Sequence, residues 1–187
     1  MFCSICCNLA TQNEKYYMED FVHLHVHTNY SILDGQSKIP KLVDKAINDG
    51  MKGMAITDHG VMFGIKELSD YCAGVNKKRK AEGLEPFKPI LGCEMYVAHH
   101  RLEDKVKENG DNSGYHLIVL AKNYNGYKNL IKLVSRSWVD GYYYRPRTDK
   151  FELLFDSNKT LWRNADEGQD EEMNFDNGSG AQIRIVT

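Results

Sequence analysis

Apolar and polar positions change rhythm repeatedly along the chain, and each rhythm predicts an element. FVHLHVH (21–27) alternates with period 2, which predicts a strand with Phe21, His23, His25 and His27 on one face and Val22, Leu24 and Val26 on the other. Ile39, Leu42, Val43, Ala46 and Ile47 then form a helical stripe, with Ser37 placed to cap it, Pro40 in its first turn and Gly50 at its end. GMAIT (53–57) is a short buried-type strand that runs into Asp58-His59-Gly60. A second helix is expected from about Ile65 to Ala81, with Ile65, Leu68, Cys72 and Val75 on one face. PILGCEMYVA (89–98) and HLIVLA (116–121) predict further strands, separated by a polar loop over 99–114. Tyr127, Leu130, Ile131, Val134 and Trp138 predict a third helix. This alternation predicts a parallel α/β sheet or barrel, with reactive groups at strand ends and in the adjoining loops. Only about four strands are visible, too few to close a barrel.

The two ends break the pattern. Residues 1–17 (MFCSICCNLATQNEKYY) lack both the basic start and the apolar length of a signal peptide and read as a leader. Its Cys3, Cys6 and Cys7 read as inert or as half of a zinc site, with no second Cys/His pair nearby to complete four ligands. At the other end, NADEGQDEEMNFDNGSG (164–180) is acidic and aperiodic, so 154–187 is expected to be a disordered acidic tail. The QIRIVT that closes it suits a strand but has no evident partner. Between these ends, residues 18–153 form the expected folded domain.

Composition narrows the class. At 187 residues, with 42% hydrophobic and 27% charged, the chain is long enough for one domain with its own core. It has no apolar run of the ~18 residues that a membrane span needs. Five unevenly spread cysteines argue against a secreted disulfide framework and for a cytoplasmic protein. Net charge is −2, so charge alone does not make the molecule a polyanion binder.

The chemistry concentrates in the first strand. Three imidazoles at i, i+2 and i+4 would repel one another on protonation, and a shared cation gives them a common purpose. Asp34, in SILDGQ, reads either as a turn residue or as a further ligand. His59 comes directly after a strand, where α/β enzymes place reactive groups, and Asp58 beside it is expected to orient an imidazole. Glu94 stands inside the apolar strand ILGCEMYV, where an unpaired carboxylate is costly, so it either faces solvent or bridges metals. His116 opens HLIVLA, a position that a simple strand-end rule does not explain. His99 and His100 fall in the polar loop and read as solvated. Lys77-Lys78-Arg79-Lys80 reads as the solvated basic end of the second helix. Tyr143, Arg145 and Arg147, in YYYRPR, either stack bases and grip phosphate or belong to a packed loop.

FVHLHVHTNYSILDG, AITDHGVMFG, GCEMYVA and YHLIVLAKN followed by GYKNLIKLVS resemble the PHP (polymerase and histidinol phosphatase) domain found at the N-terminus of bacterial replicative DNA polymerase III alpha subunits. The likeness runs from about Met18 to about Leu153. H-x-H with TDHG suits any PHP phosphoesterase, whereas the later segments and GYYYRPRTDK resemble the polymerase branch. The resemblance implies a distorted (β/α)7 barrel, incomplete in this chain, around a divalent metal cluster of Zn, Mn or Fe. It assigns His25, His27, Asp34, His59, Glu94 and His116 as ligands. His23 stands where many relatives carry Asp, and the family's later Cys and Asp-x-His ligands have no counterpart, since the tail holds neither Cys nor His. The chain therefore resembles a fragment interrupted near Leu153, expected to turn over little by itself. Three functions are open to it: the PHP portion of a replicase with 3′–5′ exonuclease-type chemistry and DNA and replicase subunits as partners; a free-standing phosphatase acting on a small phosphate ester; or a non-catalytic scaffold.

Overall fold

A computed structural model describes residues 21–32, 34–112, 114–154 and 182–186. The leader at 1–17, with its cysteines, and most of the tail lie outside the described residues. The elements in order are α1 (Ile39–Asn48), β1 (Gly53–Ile56), α2 (Ile65–Ala81), β2 (Lys88–Val97), a 3₁₀ turn (Lys107–Asn109), β3 (Tyr115–Ala121), α3 (Tyr124–Val139), β4 (Arg147–Thr148), α4 (Lys150–Leu154) and β5 (Gln182–Val186).

α1, α2 and α3 form where the apolar stripes predict them, with local differences at their ends and faces, whereas α4 is not among the expected helices. Proline stands in the first turn of α1, where no hydrogen bond is lost, but Ser37 does not cap it. Lys38 occupies the cap position without a side-chain bond, and the Ser37 carbonyl instead accepts from the Asn29 N–H at 2.9 Å. Gly50, at φ +85°, takes the left-handed turn that ends the helix. The last turn of α2 carries Lys78, Arg79 and Lys80, complementing the carbonyl end of its dipole. In α3, Asn123 caps by accepting from the Gly126 N–H. Its buried face is Leu130, Leu133 and Val134, whereas Ile131 and Trp138, expected on the core stripe, are exposed.

The sheet runs β1-β2-β3-β5, with β4 pairing the far end of β2. β1 and β2 are parallel, with Gly53 opposite Lys88 and Ile56 opposite Leu91. The expected all-parallel sheet is corrected at β2 and β3, which are antiparallel, with Glu94 opposite Ile118 and Tyr96 opposite His116. Among the described residues their connection holds only the 3₁₀ turn, and without a crossover helix the chain reverses. The 21–27 segment is also not the continuous strand expected. It lies parallel to β1 through one bridge, His23 to Met54, and its carbonyls at His23 and Val26 accept from Ala55 and Thr57. The Thr57 hydroxyl takes the Val26 N–H, interrupting the backbone ladder. Gln182–Val186, placed in the tail as a strand with no evident partner, pairs parallel with β3.

α1 and α2 bury Ile39, Val43 and Leu68 against Met54, Ile56 and Phe87, while α3 packs Leu130 and Leu133 against Met95, Leu117 and Val119. The result is a mixed α/β layer whose sheet does not close, as an incomplete barrel requires. No described helix is long and apolar enough to cross a membrane.

Candidate metal centre

β2 carries the centre. Its first half pairs with β1 and its end with β4, and in the gap between them the 58–60 loop bridges to Glu94. The Glu94 N–H donates to the Asp58 carbonyl at 3.1 Å, and the Gly60 N–H donates to the Glu94 carbonyl at 2.8 Å, which fixes His59 against β2. The reversal at β2 and β3 brings His116, opposite Tyr96, diagonally beside Glu94 on the same face. The early histidines reach the same place from the extended segment along β1.

Glu94 is 1% exposed, and four imidazoles converge on its carboxylate. Oε2 lies 2.7 Å from His25 Nε2 and 3.2 Å from His27 Nε2. Oε1 lies 2.8 Å from His59 Nδ1 and 2.5 Å from His116 Nδ1. His25 Nε2 and His27 Nε2 face each other at 2.9 Å, and the His27 and His59 rings stack at 4.0 Å. Asp34, exposed in its loop, meets His59 Nε2 at 2.6 Å. The structure thus brings His25, His27, Asp34, His59, Glu94 and His116 together. His23 stays outside, exposed and edge-on to Phe21, and His99 and His100 are exposed as expected.

Asp58 makes no direct side-chain hydrogen bond to an imidazole among the described residues, and reaches one only through Ser31. Buried at 2% exposure, it accepts from the Thr28 N–H (2.6 Å), the Thr28 hydroxyl (2.8 Å) and the Ser31 hydroxyl (2.7 Å). Ser31, for which sequence pattern alone predicts no role, is the link to the rings. Its one proton goes to Asp58, so its oxygen accepts from the His59 N–H (3.2 Å) and from His27 Nδ1 (3.0 Å). His27 must therefore carry a proton on Nδ1, and in its neutral form it presents the Nε2 lone pair to Glu94 and His25. A hydroxyl four residues after the H-x-H pair is the signal available in the sequence.

The electrostatics favour the unprotonated forms of His27, Glu94 and Asp34. Burial lowers the His27 pKa below the ordinary histidine value, and the neighbouring His59 lowers it further. Burial alone would raise Glu94, but His116, His59 and His25 outweigh it and hold the carboxyl down at about 2. The hydrogen bond from His59 likewise lowers Asp34. A neutral His27 facing an ionised carboxylate sets a lone pair against a lone pair at 3.2 Å, an arrangement that a cation relieves. Two ligand triads, His25–His27–Glu94 and His59–Glu94–His116, share the carboxylate, and in each the donor atoms lie within 4.8 Å of one another. Imidazole nitrogen with carboxylate oxygen is a donor set that suits divalent transition metals.

The YYYRPR segment separates into distinct roles. Arg147 does not reach the surface: it is 0% exposed, and its guanidinium donates to the carbonyls of Gly141, Leu102, Asp104 and Asp111. That burial corrects its expected contact with nucleic acid and makes it the clasp of the 99–114 loop. Tyr143 is half-buried, with the Arg147 guanidinium 5.3 Å from its ring centroid, while Arg145 is exposed.

A family model described as PHP domain matches residues 23–170. The chain is 47% identical over 134 residues to the DNA polymerase III subunit alpha of Treponema pallidum, covering 72% of this chain and 10% of that protein. It is 45% identical over 133 residues to the corresponding subunit of Borreliella burgdorferi, covering 71% and 11%. Against that of Aquifex aeolicus it is 43% identical over 141 residues, covering 73% and 11%. The chain thus spans about a tenth of the length of the relatives it matches. With the family model covering most of the sequence, and all six converging residues inside its span, the chain belongs to the PHP domain family.

Proposed function

We propose that this chain is the PHP portion of a bacterial replicative DNA polymerase III alpha subunit and that its centre is a metal-dependent phosphoesterase site of the 3′–5′ exonuclease type. The observation that carries the proposal is Glu94: a buried carboxylate whose two oxygens each face a pair of imidazoles. Held by His25, His27, His59, Glu94, His116 and Asp34, divalent Zn, Mn or Fe (up to three ions, by family resemblance) would polarise a phosphoryl oxygen and acidify a water.

The chain's own residues set this up. Glu94 gives one oxygen to each triad, which suits a bridging ligand. Asp58 and Ser31 hold His27 in the tautomer whose Nε2 is free to coordinate. His116 and His25, with side chains 48% and 39% exposed, leave the centre open to an incoming ester. DNA and the other replicase subunits are the partners this reading implies.

The test is metal content. The wild-type chain should take up Zn²⁺ or Mn²⁺ stoichiometrically, and the double variant His25→Ala, His27→Ala should lose it. Elemental analysis showing equal metal in both would overturn the assignment. Chelator-sensitive hydrolysis of a 3′-labelled single-stranded oligonucleotide establishes the exonuclease-type role, and preference for a small phosphate monoester establishes a phosphatase. Metal uptake without hydrolysis of either leaves a metal-stabilised scaffold.

A further inference from the structure

The segment between α3 and β4 is anchored on the metal centre. Trp138 Nε1 donates to the Gly60 carbonyl at 2.8 Å, one residue beyond His59. Pro146 packs so tightly on the same glycine that a Cβ there would stand 2.6 Å from its Cγ. Between these anchors, Arg145 lays its guanidinium over the Tyr96 ring, 4.9 Å from the centroid, and Nη1 donates to the Tyr96 hydroxyl at 2.9 Å. Tyr96 in turn stacks on His59 at 6.1 Å and meets His116 edge-on at 5.0 Å. A single ring therefore separates the guanidinium from two imidazoles of the centre.

Arg145 is also held ready. The Tyr143 N–H donates to its carbonyl at 3.1 Å across a tight turn, and Tyr144 at the tip is the one non-glycine residue at positive φ (59°) among those described. The contrast with Arg147 is direct. Arg147 is buried and its guanidinium is wrapped in carbonyls, whereas exposed Arg145 makes one side-chain hydrogen bond and no ion pair among the described residues. A guanidinium presents five N–H donors in a fork that matches two phosphate oxygens.

We propose that Arg145 is a phosphate-binding residue on the rim of the centre, its remaining N–H donors taking anionic oxygens of a phosphoester engaged by the His/Glu cluster. This rests on the phosphoesterase reading. The oxygens belong either to the reacting phosphate or to the neighbouring phosphate of a strand. The salt link is the shared chemistry, and two probes separate the sources.

The experiment measures binding of inorganic phosphate and of a thymidine trinucleotide to the full chain by calorimetry, with and without Mn²⁺. Wild type is compared with Arg145→Gln and Arg145→Lys, with metal content and thermal midpoint measured alongside. Arg145→Gln should weaken binding about tenfold or more at unchanged metal content, and Arg145→Lys should recover part of the loss. Loss for both probes assigns the reacting phosphate; loss for the trinucleotide alone assigns its neighbour. Equal binding by wild type and Arg145→Gln overturns the proposal, as does wild-type binding of neither probe. Loss of metal together with phosphate also overturns it, because Arg145 would then only brace Tyr96. If the chain takes up no metal yet Arg145→Gln still weakens phosphate binding, the metal reading falls and the assignment of Arg145 stands.

Discussion

Glu94 concentrates the energetic tension of the molecule: a buried carboxylate whose pKa is held down by His116, His59 and His25 against the burial that would raise it, while His27 turns a lone pair toward it. Its pKa and that of His27 are both lower in the folded protein than their ordinary values of 4.5 and 6.5. The unfolded chain therefore binds these protons first, and folding stability is lost as pH falls. The loss should begin below 6.5 through His27 and continue between 4.5 and about 2 through Glu94. Thermal midpoints of the metal-free protein should drop steadily from pH 7 to pH 3; a flat profile would contradict the geometry. Arg147 supplies a second expectation. Arg147→Met keeps much of the volume but strands carbonyls of Leu102, Asp104 and Asp111, so denaturant unfolding should show a loss of at least about 2 kcal/mol. Residues such as Glu94 and the H-x-H pair are legible in sequence because they break a local pattern. Ser31 and Arg147 break none. The serine offers only its spacing of four residues from the H-x-H pair, and the contacts that define both roles, to Asp58 and to the carbonyls of Leu102, Asp104 and Asp111, are far along the chain.

At the level of elements, α1 to α3 and β1, β2 and β3 are set by apolar periodicity, which is a local property. Strand direction is not local. The missing crossover helix between β2 and β3 is visible in sequence as a polar loop over 99–114, and it is what reverses β3. In a parallel sheet the start of β3 would lie at the opposite end from the other reactive strand ends. The reversal places His116 beside Glu94 instead, which is why a strand-end rule fails for it. The partner of QIRIV is hidden for the same reason: pairing with β3 is a long-range choice. Gly60 joins these elements, since it takes φ +60° under Pro146 and accepts from Trp138. Gly60→Ala adds both left-handed strain and a 2.6 Å contact, so it should shift the loop that carries His59. Metal affinity measured by competition with a chelator should fall about tenfold or more while the helical circular dichroism persists; unchanged affinity would show that the loop is not held through this residue.

In the whole molecule, the contacts that close the centre join distant stretches of chain. His25 meets Glu94 across 69 residues, His59 meets Glu94 across 35, and Trp138 meets Gly60 across 78. The helices and the α1–β1 layer need far shorter loops, so they can form before the imidazoles are gathered. That ordering has a kinetic consequence. A ligand that binds only the gathered site stabilises interactions made after the folding barrier, and such interactions act on escape from the native state. Saturating Zn²⁺ or Mn²⁺ should therefore slow unfolding in stopped-flow denaturant jumps by about the full binding factor while leaving the refolding rate nearly unchanged. Acceleration of refolding by metal would mean that the histidines assemble early. Otherwise the centre works as a latch: it determines how long the native state lasts once formed, and has little influence on how quickly it is reached.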